Sequence, residues 1–160
     1  MSTSSEKPTI FVTRRWPDAA EDALKQYFKP TFNVDDTPLM AAQIAAGFAS
    51  HDALAPTVSD QITADIIAAG AAGSGRLIAN FGVGVNHIDL SAAASAGLAV
   101  ANTPGVLTDA TADLTLTLML MISRRAGEGE RELRAGAWAG WRPTHLMGRS
   151  LSGKTLGIIG

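Results

Sequence analysis

The chain contains no cysteine, which excludes disulfide scaffolds, cysteine-ligated zinc, iron–sulfur clusters and thiol catalysis. It also lacks a basic stripe: 13 Lys and Arg residues against 15 Asp and Glu residues give a formal net charge of −2, so nucleic acid is not expected as a partner. The most apolar stretch, Leu114–Ile122, is interrupted by Thr115 and Thr117 and is shorter than the roughly 20 residues that a membrane span needs. A membrane is therefore not expected as a partner either.

What the chain does have is the composition of a packed globular domain. Of its 160 residues, 46% are hydrophobic and 18% are charged, far from the polar and charged profile of a disordered protein. Residues 1–8 contain Ser, Thr and Lys without an apolar core, so they are predicted to form a flexible leader and not a secretory signal. The expected location is cytoplasmic.

From Thr9 onward, short apolar runs alternate with segments of helical periodicity, which is typical of a parallel sheet with crossover helices. The runs predicted as strands are Thr9–Thr13, Thr31–Val34, Asp52–Pro56, Arg76–Asn80 and Leu98–Ala101. The segments predicted as helices are Trp16–Phe28, Pro38–Ala46 ended by Gly47, a stretch from a Ser59 or Asp60 cap to Gly70, and Leu90–Ala96 ended by Gly97. This order predicts an α/β fold with a doubly wound parallel sheet.

Two glycines, Gly82 and Gly84, follow the fourth predicted strand and precede a helix. Because glycine lacks a Cβ, such a turn can bring backbone N–H groups within reach of an anion. The alternative is a tight strand-to-helix turn with no ligand. The spacing alone leaves both interpretations open.

A breaker at Asn102–Gly105 predicts a domain boundary. Beyond it, Ala110–Arg125 is predicted to be a helix buried on nearly all sides, followed by a polar segment, 127–140, and an arm that carries Trp138 and Trp141. The last segment, 151–160, predicts a turn and a buried strand. A central parallel strand with no helix after it leaves apolar faces and backbone groups unsatisfied. We therefore expect the chain to be part of a protein roughly twice as long.

Three segments, Asn80–Leu90, Ala101–Asp113 and Gly153–Gly160, resemble in order and spacing the D-isomer-specific 2-hydroxyacid dehydrogenases. The segment Trp138–Pro143 is similar to the glyoxylate/hydroxypyruvate reductase branch of that family. The resemblance implies that residues 9–104 are the first part of a flavodoxin-like substrate domain. Residues 105–160 would then be the interdomain helix, the dimerisation arm and the first strand of a truncated Rossmann domain that binds NAD or NADP.

The resemblance also implies the chemistry, which is hydride transfer between NAD(P)H and C2 of a small 2-oxo acid such as glyoxylate or hydroxypyruvate. The implied substrate contacts are Gly82, Val83, Gly84, Asn80 and Leu54. The implied cofactor contacts are Val83, Thr111 and Gly160, the first glycine of a phosphate-binding loop. A homodimer through residues 109–149 would bring Trp141 to the substrate of the partner subunit.

The catalytic Arg, Glu and His of that family all lie downstream of the glycine loop, so none is expected in this chain, which should be inactive alone. His87 does not match the catalytic His and is predicted to be structural; no metal site is predicted. Thr111 has an alternative role in the first turn of its helix, and Trp141 one in packing within the arm. Two other functions also remain open: a cofactor-sensing corepressor of the same family, and a stand-alone dimerisation module.

Overall fold

The structure, a computed structural model, describes residues 6–159, and the chain divides into two units between Gly105 and Val106. The first unit contains a sheet of five parallel strands in the order β2-β1-β3-β4-β5. The strands are β1 (Thr9–Val12), β2 (Lys29–Phe32), β3 (Ala53–Ala55), β4 (Leu77–Ala79) and β5 (Ala99–Ala101). This strand order is that of flavodoxin-like folds, and the predicted α/β fold class is confirmed.

Four helices connect these strands: α1 (Asp18–Tyr27), α2 (Ala41–Ala49), α3 (Ala64–Ala72) and α4 (Leu90–Ser95). Both faces of the sheet are covered, as expected for parallel strands that are apolar along their whole length. One face packs Ile10, Val12 and Ala53 into a core cluster. On the other face, Leu54 packs with Phe48 and residues of α3.

Several predicted element ends differ from the structure. Helix α2 does not end before Gly47 but continues to Ala49. A ring atom of Phe11 lies 2.3 Å from where a Cβ of Gly47 would be. Because Gly47 has no side chain, the ring fits against the helix, and Gly47 does not terminate the helix. Strand β2 begins at Lys29 instead of Thr31.

The predicted cap of α3 is also wrong. This helix begins at Ala64 after Thr63, while the Asp60 carboxylate accepts hydrogen bonds from Thr13 Oγ1 at 2.6 Å and from the Thr57 N–H at 2.8 Å. Asp60 is only 6% exposed, so these bonds satisfy a buried charge. The carboxylate links β1 to the loop after β3.

The second unit contains α5 (Thr108–Ser123) and α6 (Ala126–Arg134). The prediction of a helix at 110–125 is confirmed, but the prediction that it is buried on nearly all sides is wrong, since no residue of α5 is buried. Burial requires covering elements, and the described residues leave Leu114 and Leu118 58% and 48% exposed.

The strand predicted near residue 158 is not formed either. Residues 154–159 have no regular secondary structure, and Ile158 is 81% exposed. A parallel strand needs neighbours that accept and donate its backbone hydrogen bonds, and no described strand pairs with this segment. Gly160 and residues 1–5 of the predicted leader lie outside the described residues. Within residues 6–159, every helix is too short or too polar to serve as a membrane span.

Candidate functional site

The turn after β4 lies at the carboxyl ends of the strands, the edge where open α/β sheets bind their ligands. We call residues 82–84 the glycine turn. Strand β4 lies between β3 and β5, so side chains at the ends of three neighbouring strands meet near this turn. Phe81, just before it, stacks on Trp16 with ring centroids 4.8 Å apart.

A buried asparagine supports the glycine turn. Asn80 is 2% exposed, and its Nδ2 donates to the carbonyl oxygens of Gly82 at 3.0 Å and Gly84 at 2.9 Å. The side chain therefore spans the turn and uses both of its N–H donors. Asn80 was predicted as a substrate contact; in the structure its amide donates hydrogen bonds to the turn itself.

The end of the neighbouring strand supplies two more hydrogen bonds. Asn102 Nδ2 donates to the Val83 carbonyl oxygen at 2.9 Å, and the Thr103 N–H donates to the Gly82 carbonyl oxygen at 3.1 Å. All three carbonyl groups of the glycine turn are thus held.

Holding the carbonyl groups fixes the direction of the amides that follow them. The peptide bonds of the described residues are all trans, and in a planar trans peptide the N–H points opposite to the C=O of the preceding residue. The N–H groups of Val83 and Gly84 therefore point away from Asn102 and Asn80. Within residues 6–159, neither of these N–H groups has a hydrogen-bond acceptor. Successive backbone N–H groups without an internal acceptor are available to an anion.

The space in front of the turn is open. Val83 is 41% exposed, and a Cβ placed on Gly84 would have no neighbour within 4 Å. An open cavity of about 360 Å³ is lined by Val58, Gln61, Gly84, Asn86 and His87. This volume is within the range of small-molecule sites.

His87 lies beside the side-chain oxygen of Asn80. Its Nε2 is 3.0 Å from Asn80 Oδ1, and burial of the imidazole lowers the pKa of His87 below its ordinary value, against a smaller opposing effect of the Asp60 charge. His87 is therefore neutral at neutral pH. Within residues 6–159, no group of three His, Asp or Glu side chains is arranged to hold a metal ion.

The structure brings Asn80, Gly82, Val83 and Gly84 together, as their predicted role requires. It does not bring Leu54 to this surface, because Leu54 is 0% exposed and packs in the core.

The other predicted contacts lie elsewhere in the chain. Thr111 and Trp141 belong to the second unit, where Thr111 is exposed and Trp141 is 82% exposed, and their contact with a ligand stays a prediction. Gly160 lies outside the described residues.

Asn102 was not predicted as a site residue, and His87 was predicted to be structural. The pairing of Ala79 with Ala101 in the sheet puts the next residues, Asn80 and Asn102, side by side. Two asparagines directly after two predicted neighbouring strands were the signal that could have identified Asn102.

Comparisons with known proteins agree on one family. The match to the family described as D-isomer specific 2-hydroxyacid dehydrogenase, catalytic domain, extends over residues 10–156. The glyoxylate reductase of Korarchaeum cryptofilum (strain OPF8) is 36% identical over 155 residues, covering 96% of this chain and 46% of that protein. The glyoxylate reductase of Thermococcus litoralis is 35% identical over 158 residues, covering 96% of this chain and 47% of that protein.

Solved structures show the same fold. The NADPH-dependent glyoxylate/hydroxypyruvate reductase from Sinorhizobium meliloti, in complex with NADP and malonate, matches with a TM-score of 0.78 and 30% identity over 97% of this chain and 46% of that one. The chain thus spans about half the length of the relatives it matches, 46% and 47% for the two glyoxylate reductases. Since the family match covers most of its residues, the chain belongs to the D-isomer specific 2-hydroxyacid dehydrogenases.

Proposed function

We propose that this chain is the N-terminal, acid-binding part of an NAD- or NADP-dependent 2-hydroxyacid dehydrogenase that reduces a small 2-oxo acid, glyoxylate or hydroxypyruvate. The observation that carries the proposal is the glycine turn, where three carbonyl groups are held and the N–H groups of Val83 and Gly84 have no acceptor among residues 6–159. The glyoxylate reductases that are 36% and 35% identical to the chain support the choice of acid.

The chemistry at the turn is recognition of a carboxylate. Hydrogen bonds from N–H groups to an ionised carboxylate are stronger than those to a neutral acceptor. Because the peptide planes of Val83 and Gly84 are already held, little conformational entropy is lost when the acid binds. The carboxylate is gripped at one end, and the 2-oxo carbon is left facing the open side.

The cofactor would supply the hydride when bound. Of the three predicted contacts in this chain, Val83 and Thr111 are exposed, while Gly160 lies outside the described residues. The chain's own contribution is to hold the acid and to offer the Val83 side chain beside it. The proton donor, and the residues that grip the rest of the cofactor, would come from the other half of the family's length.

The second unit supports a dimer of this enzyme through residues 109–149. Helix α5 exposes Leu114, Leu118 and Ile122 along one side and Leu116 and Leu120 along another, and exposed apolar surface of this kind is typical of interaction sites. Trp141, 82% exposed, would then be free to reach the substrate of the partner subunit.

The test uses two proteins: the 160-residue chain, and the same chain followed by the C-terminal half of the K. cryptofilum glyoxylate reductase, which we call the joined polypeptide. We expect glyoxylate to shift the backbone amide resonances of Val83 and Gly84 in the 160-residue chain, which should show no turnover. The joined polypeptide should oxidise NADH or NADPH in the presence of glyoxylate. Turnover by the 160-residue chain, or unmoved Val83 and Gly84 resonances at saturating glyoxylate, would contradict the proposal.

A further inference from the structure

A second hydrogen bond determines the orientation of the side chain that holds the glycine turn. His87 Nε2 lies 3.0 Å from Asn80 Oδ1, while Asn80 Nδ2 donates to the carbonyl oxygens of Gly82 and Gly84. Because an amide oxygen only accepts hydrogen bonds, Nε2 of His87 must carry a hydrogen. His87 donates to Asn80 in its Nε2–H tautomer and equally when it is doubly protonated.

This bond decides which way the Asn80 amide faces. A reversed amide would place Oδ1 against two carbonyl oxygens and would place Nδ2 against the Nε2–H of His87, so hydrogen bonds would be lost on both sides. Asn80 is 2% exposed, so water cannot replace the lost partners. His87 therefore disfavours the reversed orientation.

The position of His87 is set independently of the glycine turn. The Ile62 N–H donates to the His87 carbonyl oxygen at 2.8 Å, and the next residue, Ile88, is 5% exposed in the core. The imidazole is thus attached to a fixed part of the fold. Through Asn80, that fixed point is connected to the peptide planes that carry the free amides.

We propose that His87 is a positioning residue for the substrate: through Asn80 it keeps the Val83 and Gly84 N–H groups directed at the carboxylate of the 2-oxo acid. This proposal rests on the proposed function and adds to it a residue that acts on the acid through Asn80. Glutamine at position 87 retains an N–H donor, whereas leucine retains only apolar volume.

The kinetic test uses the joined polypeptide. In His87→Leu we expect the KM for glyoxylate to rise by about fivefold or more, as for the loss of one buried hydrogen bond, with the KM for the reduced cofactor unchanged. His87→Gln should recover most of the loss. The matched control is His51→Leu, because His51 is another half-buried histidine, bonded to Thr31 and Gly47, and this variant should leave the KM for glyoxylate unchanged.

A purely structural role for His87 gives a different pattern. Both KM values would then rise together in His87→Leu, or His87→Gln would be no better than His87→Leu, and either result overturns the proposal. If the unsubstituted joined polypeptide turns over glyoxylate and His87→Leu has the same KM, the positioning role fails and the proposed function stands. A folded, unsubstituted joined polypeptide that does not turn over glyoxylate overturns both the positioning role and the proposed function.

A measurement on the unsubstituted chain tests the positioning role even if the His87 variants do not fold. The nitrogen chemical shifts of the His87 imidazole in the 160-residue chain report which ring nitrogen carries the hydrogen. We expect a protonated Nε2 and an unprotonated Nδ1 at neutral pH. The opposite tautomer would leave Asn80 Oδ1 without a donor and would overturn the proposal.

Discussion

The two glycines of the glycine turn have different neighbours. A Cβ on Gly82 would lie 2.9 Å from Val58 Cγ1 and 3.5 Å from Asn80 Nδ2, whereas a Cβ on Gly84 would have nothing within 4 Å. Gly84 also has no positive φ. Alanine is therefore compatible with the fold at Gly84 but would point a methyl group into the space that the acid is proposed to occupy.

We expect Gly84→Ala to weaken glyoxylate binding by about fivefold or more while the free energy of unfolding stays within about 0.5 kcal/mol. Gly82→Ala should instead lower that free energy by about 1 kcal/mol, since its methyl group crowds Val58. Amide titration with glyoxylate and urea denaturation measure the two effects. Equal glyoxylate affinity in Gly84→Ala and the unsubstituted chain would show that the acid does not approach this face.

The anion-binding role of the glycine turn could be proposed from the sequence because glycine spacing after a strand constrains the backbone. The hydrogen bonds that hold this turn could not be predicted, because those from Asn80 and Asn102 depend on side-chain rotamers that no spacing specifies. Leu54 stays a predicted contact: the end of a strand predicts proximity to the site, but β3 is buried on both faces and Leu54 packs in the core.

Helix α2 shows why ends of helices were harder to predict than their existence. The alternation of apolar runs and helical segments reflects the sheet and its covering helices, and all five strands and the helices between them were found. Gly47 was assigned as a stop because glycine is a common helix terminator. In the structure the close approach of the Phe11 ring explains why position 47 is a glycine. Phe11 is distant in the sequence, so no local pattern indicates this contact.

We expect Gly47→Ala to lower the free energy of unfolding by about 1–3 kcal/mol, because the methyl group would overlap a ring atom at 2.3 Å. Gly127 in α6 provides the contrast, since a Cβ there would have its nearest neighbour at 3.4 Å. Gly127→Ala should keep or slightly raise stability, as helix propensity favours alanine. Urea denaturation followed by circular dichroism compares the variants; an unaffected Gly47→Ala would mean that the ring moves aside.

Burial across the chain is uneven, and the apolar α5 is where the prediction of a buried helix was wrong. Periodicity identified the helix correctly, but burial depends on which other residues cover it, and that information is not local. The exposed leucines of α5 are the observation on which the proposed dimer rests.

We expect the chain to sediment as a dimer and the double variant Leu114→Glu with Leu118→Glu to sediment as a monomer, because two charges one helical turn apart would have to be desolvated in the interface. Val34→Glu is the control, since Val34 is 75% exposed in the first unit, and it should remain dimeric. A monomeric unsubstituted chain at high micromolar concentration would contradict the dimer.

The segment that leaves β5 serves two purposes. Asn102 and Thr103 hold the Val83 and Gly82 carbonyl oxygens, and the chain passes from them through Gly105 into the second unit. The residues that hold two carbonyl groups of the glycine turn are thus also those through which the chain leaves the first unit.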